Sequence, residues 1–136
     1  MSLISNLPAQ AVLPLSAYDL DALLKDAVRA DQTVLRADFD SVTDKAGVMA
    51  QIGSGFQLPG HFGRNLDALA DCLSDLEPED ADRPGFVVIL RNLPGAPGFG
   101  IDEREALLDV FRDASDDFDT RGIAFRVFYS VRPAAI

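Results

Sequence analysis

Three aspartates recur at four-residue intervals in the segment LPGHFGRNLDALADCLSDL, residues 58 to 76: Asp67, Asp71 and Asp75. That spacing puts carboxylates on one side of a helix. Two chemistries suit them. With His61 nearby in sequence they could offer oxygens and an imidazole to a divalent cation, but one stripe on one helix does not enclose an ion that wants roughly six to eight oxygens. Held rigidly, they could instead present acceptors for charge-assisted hydrogen bonds from the arginines and lysines of another molecule.

A helical wheel separates these acids from the core. With Leu66 at zero, Leu69, Ala70, Leu73 and Leu76 fall between about 280 and 40 degrees, the expected buried stripe, whereas Asp67, Asp71 and Asp75 fall at about 100, 140 and 180 degrees. They point away from the interior. Asp67 occupies the first turn, where the helix dipole favours a negative charge, while Asp75 is near the unfavourable end. Each like-charged pair four residues apart costs only about 0.2 to 0.5 kcal/mol, so a solvated face tolerates it. Cys72 falls at about 240 degrees, at the edge of the stripe, which makes it a packing residue.

The elements that must hold this helix alternate in type. Ser16-Ala17-Tyr18-Asp19 reads as a capping box opening a helix with Leu20, Leu23, Leu24, Ala27 and Val28 on its core face. TVLRADF (33 to 39) reads as a first strand. Ser41-Val42-Thr43-Asp44 opens a weaker helix through Val48, Met49 and Ile52, ended by Gly53 and Gly55. After the loop at Pro59, Gly60 and Gly63, Asn65 caps the acidic helix. FVVIL (86 to 90) has the continuous apolar character of a strand buried on both faces. Asp102, with Glu105 three residues on, opens a helix whose core face is Leu107, Phe111, Ala114 and Phe118 and which Gly122 ends. IAFRVFY (123 to 129) is a third strand. Strands separated by crossover helices make a parallel sheet, so the fold class is α/β.

Composition narrows the function. A chain of 136 residues is one domain, and its net charge of -10 repels nucleic acid and anionic lipid while favouring encounter with a basic partner. From Leu66 to Asp82 there are seven acidic residues and no basic one. No run is long enough to span a bilayer, the N-terminus lacks the basic start and cleavage site of a secretory signal, and the single cysteine, Cys72, has no internal disulfide partner. A cytoplasmic location is the expectation. No phosphate-binding glycine loop, dinucleotide fingerprint or nucleophile elbow occurs, so neither an enzyme nor a cofactor or metal is expected.

The segment LPGHFGRNLDALADCL is similar to the signature of the barstar family, intracellular inhibitors of barnase-type ribonucleases. The pattern of Leu-Pro, an aromatic pair, Gly-x-Asn-Leu-Asp-Ala-Leu and then Asp-Cys-Leu is met at Leu58, Pro59, Phe62, Gly63, Asn65, Leu66, Asp67, Ala68, Leu69, Asp71, Cys72 and Leu73 without a gap. SVTD after the first strand and VFRDA (110 to 114) resemble further family segments, so the likeness covers about residues 33 to 130. It implies a two-layer α/β fold with a three-stranded parallel sheet. On that reading residues 1 to 31 are an N-terminal extension with one amphipathic helix, 32 to 131 the barstar-like domain and 132 to 136 a short tail.

The resemblance also implies a function and its residues. Carboxylates on the helix would plug the basic active-site cleft of a ribonuclease by imitating RNA phosphates. Asp67 and Asp71 would be the main carboxylates, with Asp71 the phosphate mimic. His61 would stand at an aromatic contact position, Gly63 and Asn65 in the contact loop, and Asp113 where the family has a peripheral glutamate. Asp75 has no counterpart and would be an added contact. The sequence departs from the pattern where Ala70 replaces a tryptophan, Asp75-Leu76 a Gly-Trp pair and His61 a tyrosine, and the chain has no tryptophan. The resemblance implies a basic extracellular-type ribonuclease, barnase-like or divergent, as partner, and the loss of these rings, which commonly anchor interfaces, favours a divergent one over barnase itself. The alternative is a barstar-like module that docks on another basic protein without inhibiting a nuclease. The oligomeric state is left open.

Overall fold

The computed structural model describes residues 7–59, 64–80, 82, 84–95 and 97–132. Four strands, β1 (Gln10–Pro14), β2 (Thr33–Asp38), β3 (Gly85–Leu93) and β4 (Ala124–Val131), form one sheet in the order β1-β4-β3-β2. Every neighbouring pair is parallel. Four α-helices connect or flank them: α1 (Leu20–Arg29), α2 (Lys45–Gly55), α3 (Leu66–Ser74) and α4 (Ile101–Thr120). The expected three-stranded sheet is therefore corrected to four strands, and the N-terminal extension contributes a strand as well as a helix.

Side-chain alternation along the strands divides the core in two. Phe86, Val88 and Leu90 of β3 with Phe125 and Val127 of β4 meet α2, α3 and α4 on one face. Val87, Ile89 and Phe128 face the other way, onto Leu23 and Ala27 of α1 and Leu15 before it. Helices thus cover both faces, and the expected two layers become three because α1 packs on the face that α2 to α4 leave open. Successive steps from β2 to β3 to β4 run one way across the sheet with helices on the first face. The step from β1 to β2 runs the opposite way with α1 on the second. Direction and face reverse together, as right-handed crossovers require.

Central position explains the all-apolar start of β3: all six residues from Gly85 to Leu90 are buried. Around it, Phe118 stacks on Phe125 with centroids 5.0 Å apart, and Phe86 packs on both. This cluster is the floor on which α4, and through it α3, rests.

β1 is an edge strand whose prolines are in register with its exposure. The Phe125 amide donates to the Ala9 carbonyl at 2.8 Å, which fixes the phase of the ladder: residues 9, 11 and 13 face β4, while Gln10, Val12 and Pro14 face outward. Pro8 and Pro14 fall at outward positions, where a missing N–H costs no ladder bond. Two prolines in seven residues hide this strand from a reading of propensity.

Local sequence accounts for the helix ends, with corrections. α2 opens at Asp44, whose carboxylate accepts from the Gly47 amide at 2.8 Å, and not at Ser41, the first residue of the expected cap pattern. α1 opens at Asp19, whose side chain accepts from the Ala22 amide at 3.2 Å, and not at Ser16; residues Leu15–Ala17 form a 3-10 turn instead. Val28, expected on the core face of α1, is 69% exposed. With Leu23 at zero it falls at about 140 degrees on the wheel, beyond the stripe that Leu20, Leu23 and Ala27 occupy. α4 begins at Ile101 with Gly100 as its cap, and Asp102 sits inside the first turn, where its charge meets the helix dipole.

Candidate functional site

The acidic ridge is built on α3. Asn65 caps it, its Oδ1 accepting from the Ala68 amide at 2.8 Å. Arg64 just before it has φ 55, a left-handed conformation that turns the chain into the helix. Leu69 and Leu73 are fully buried, with Leu66 and Leu76 packed beside them, so the helix is fixed from beneath. Nine residues make a short helix that is marginal alone. Burial of its leucines and its packing on α4 hold it.

Asp67, Asp71 and Asp75 all stand exposed on the opposite side. Asp67 is in the first turn, Asp71 in the body, and Asp75 is the C-cap residue, its amide donating to the Asp71 and Cys72 carbonyls at 3.2 Å each. Four of the protein's own arginines are paired elsewhere: Arg112 with Glu105 and Asp109, Arg121 with Asp117, Arg91 with Asp38 and Arg29 with Asp26. Among the described residues none forms an ion pair with Asp67, Asp71, Asp75 or Asp113.

α4 adds to the ridge. Asp113 lines a cleft of about 200 Å³ between α3 and α4, together with Ala70, Ser74, Val110, Ala114 and Asp117. Ala70 and Ser74 fall at about 40 and 80 degrees on the α3 wheel, next to Asp67 and Asp71, so the cleft borders the ridge. Asp113 therefore joins the Asp67–Asp71 side of α3, whereas Asp75 lies further round the helix. Ala70, which the wheel put on the buried stripe, is exposed at the cleft. Asp117 was missed by the sequence reading, although its position four residues after Asp113 on one helix was a usable signal. His61 and Gly63 lie outside the described residues.

Cys72 is half-buried beside this ridge. Burial, and then the neighbouring carboxylates of Asp75 and Asp71, hold its thiol pKa above the ordinary value. A thiol so placed stays protonated at neutral pH and is a packing group. Among the described residues no group of three or more His, Cys, Asp or Glu side chains is disposed to hold a metal ion, and no helix is long and apolar enough to cross a membrane.

What this arrangement can do is offer several unpaired carboxylates, on two mutually braced helices, to cationic groups of another molecule. No curated protein matches the chain. The family model for Barstar (barnase inhibitor) matches residues 32–130, a span that begins just before β2, contains α2, α3 and α4 and ends within β4. With well over half of its length so matched, and the acidic helix inside the match, this chain belongs to the Barstar family, the barnase inhibitors.

Proposed function

We propose that this protein is a cytoplasmic inhibitor of a barnase-type or divergent ribonuclease, and that Asp67 and Asp71 of α3 occupy phosphate positions in the enzyme's basic cleft. Family membership supports a nuclease as partner. The observation that carries the mechanism is the exposure of both carboxylates, free of ion pairs among the described residues, opposite a leucine-anchored face. Pre-orientation on a fixed helix matters because a loop would spend part of the binding energy on ordering. Asp113 borders the same patch, and Asn65 sets where the ridge begins. Asp75, further round the helix, is the peripheral member, and His61 and Gly63 belong to the contact loop by family pattern. The role is stoichiometric occlusion, with no turnover.

The test is inhibition of RNA hydrolysis by a panel of barnase-type ribonucleases, with wild-type protein and Asp71→Ala compared. Stripping one member of a buried charged pair costs about 2 to 5 kcal/mol, a range that rests partly on the barnase–barstar complex itself. Inhibition by Asp71→Ala should accordingly weaken by at least about thirtyfold. Equal inhibition by the two proteins rejects phosphate mimicry by Asp71. A second reading, a regulatory module docking on another basic protein, draws on the lack of any aromatic residue from Arg64 to Gly85, since rings commonly anchor interfaces. Wild-type protein that inhibits no ribonuclease, yet captures one basic protein in an Asp71-dependent way, selects it.

A further inference from the structure

β1 ends the sheet, and its outer edge is open. Gln10 and Val12 turn their main-chain N–H and C=O groups away from β4, and among the described residues no hydrogen bond reaches them. An unguarded edge is a template for another strand. Pro8 and Pro14 close the two ends of this one but leave its middle free. Beside that free stretch lies a groove of about 310 Å³, walled by Gln10, Ala11 and Val12 on one side and by Arg112, Ser115 and Asp116 of α4 on the other. Ser115 is buried, its Oγ donating to the Phe125 carbonyl at 2.9 Å, so the groups left to meet a ligand are the β1 edge and the charges of α4.

Those charges form a strip. With Arg112 at zero on the α4 wheel, Glu105, Asp109, Asp116 and Asp119 all fall within about 60 degrees of it. Four carboxylates and one guanidinium therefore overlook β1. Arg112 is shared by Glu105 and Asp109, and Asp119 accepts from the Gln10 side chain. Asp116 forms no ion pair among the described residues, and the strip keeps an excess of negative charge. Asp113 and Asp117 fall at about 100 and 140 degrees, on the flank turned to α3. The groove is thus separate from the acidic ridge.

Charge selects the occupant. A second copy of this chain could pair β1 with β1, but a two-fold axis through that edge sets one α4 strip beside the other, acid against acid, in molecules of net charge -10 each. A cationic strand meets the opposite situation. We propose that the β1 edge and the α4 strip form a binding site for an extended basic segment of another polypeptide, added antiparallel to β1 as a fifth strand, with a lysine or arginine at every second position facing the carboxylates of α4. Residues directly opposite each other in such a pair exchange both hydrogen bonds and share a face, so the basic residues stand opposite Gln10 and Val12. They recur about every 7 Å, and Asp109 to Asp119 spans about 15 Å of helix axis, so successive cations find carboxylates. Main-chain bonds supply affinity and the alternate side chains supply selectivity.

The probe is a blocked pentapeptide with arginine at alternate positions, beginning and ending with it, and valine between. Titrated into the isotope-labelled full-length protein, it should shift the Gln10 and Val12 amide resonances most and those of Asp67 and Asp71 least, and glutamate in place of arginine should abolish the shifts. N-methylation of the peptide's arginine amides keeps its charge and removes its donors, and should weaken binding by at least about tenfold. Val12→Pro removes an outward N–H in the same phase as Pro8 and Pro14, which spares the ladder to β4, and should weaken binding by at least about fivefold. Asp116→Lys, an exposed change that leaves the edge intact, should do the same through charge. No shift at β1, shifts confined to α3, or equal binding of the N-methylated peptide overturns the proposal, the last two marking only the general attraction of a cation to an acidic protein. A wild-type dimer in sedimentation that Val12→Pro dissolves assigns the edge to a second copy and overturns it as well. No arm uses a nuclease, so the outcome is independent of the ribonuclease reading.

Discussion

Cys72 is where the charge of the ridge can be read one residue at a time. Its thiol is held protonated by burial first, then by Asp75 and Asp71, so folding disfavours the thiolate. The linkage has one sign: because the folded-state pKa is raised, the stabilising contribution is complete below the ordinary thiol pKa and is lost as pH rises through the raised value. Only the alkaline side of the stability profile carries it. Alkylation by iodoacetamide at pH 8 should therefore be slower in the folded protein than in the denatured chain, since the thiolate is the reacting form. Asp75→Asn should accelerate the native reaction more than Asp71→Asn, following the order in which the two carboxylates act on the sulfur. A native rate equal to the denatured rate contradicts the burial of the thiol, and a larger effect from Asp71→Asn contradicts the order.

At the scale of elements, the β1–α1 unit is tied to the sheet by a buried cation. Arg126 of β4 is 8% exposed, and its Nε donates to the Pro8 carbonyl at 3.0 Å and Nη2 to the Leu7 carbonyl at 3.4 Å. Burial lowers its pKa, but a guanidinium remains charged at any working pH. Arg126→Met keeps the apolar stem and removes the donors, so stability should fall by about 1.5 to 2 kcal/mol, the lower part of the range for charge-assisted bonds because the freed carbonyls can reach water. Hydrogen exchange should quicken first at the Ala11 and Leu13 amides, which face β4, with β3 amides little changed. Uniform acceleration across the sheet would show instead that β1 does not open separately. This unit is also where the sequence was least legible. The unbroken apolar run of β3, the leucine stripe of α3 and the Asn65 cap could be read because each is a local pattern with a local cause. β1 could not, because outward-facing prolines are harmless only once a neighbouring strand fixes the phase, and that neighbour lies more than a hundred residues away. The exposure of Ala70 was equally invisible from α3 alone: the wheel angle was right, but whether that angle meets a helix or a cleft depends on what α4 places opposite it, here Val110 and Ala114. The carboxylates Asp67 and Asp71, by contrast, needed only their own helix to be placed.

For the whole molecule the governing quantity is the asymmetry of a net charge of -10. α3, the segment after it and the outer side of α4 carry acids in excess of their bases, and the exposed pairs on α4, such as Arg112 with Asp109, contribute about 0 to 1 kcal/mol each to stability. The acids in excess have their larger effect on the long-range field. A field of this kind raises the rate of encounter with a basic cleft and is weakened by salt, the screening length falling from about 30 Å at 0.01 M to about 10 Å at 0.1 M. The association rate with an inhibited ribonuclease should thus drop by at least about tenfold across that range, and the dissociation rate should change much less, because contacts already formed are screened less. Position separates steering from mere net charge. Asp75→Asn, on the ridge side, should lower the low-salt association rate more than Asp21→Asn, which removes the same charge from α1 on the opposite face of the sheet. If the two variants slow association equally, the overall charge guides the encounter and the ridge has no directional role; if neither the salt series nor the variants alter the rate, electrostatic steering is absent and affinity must come from short-range contacts alone.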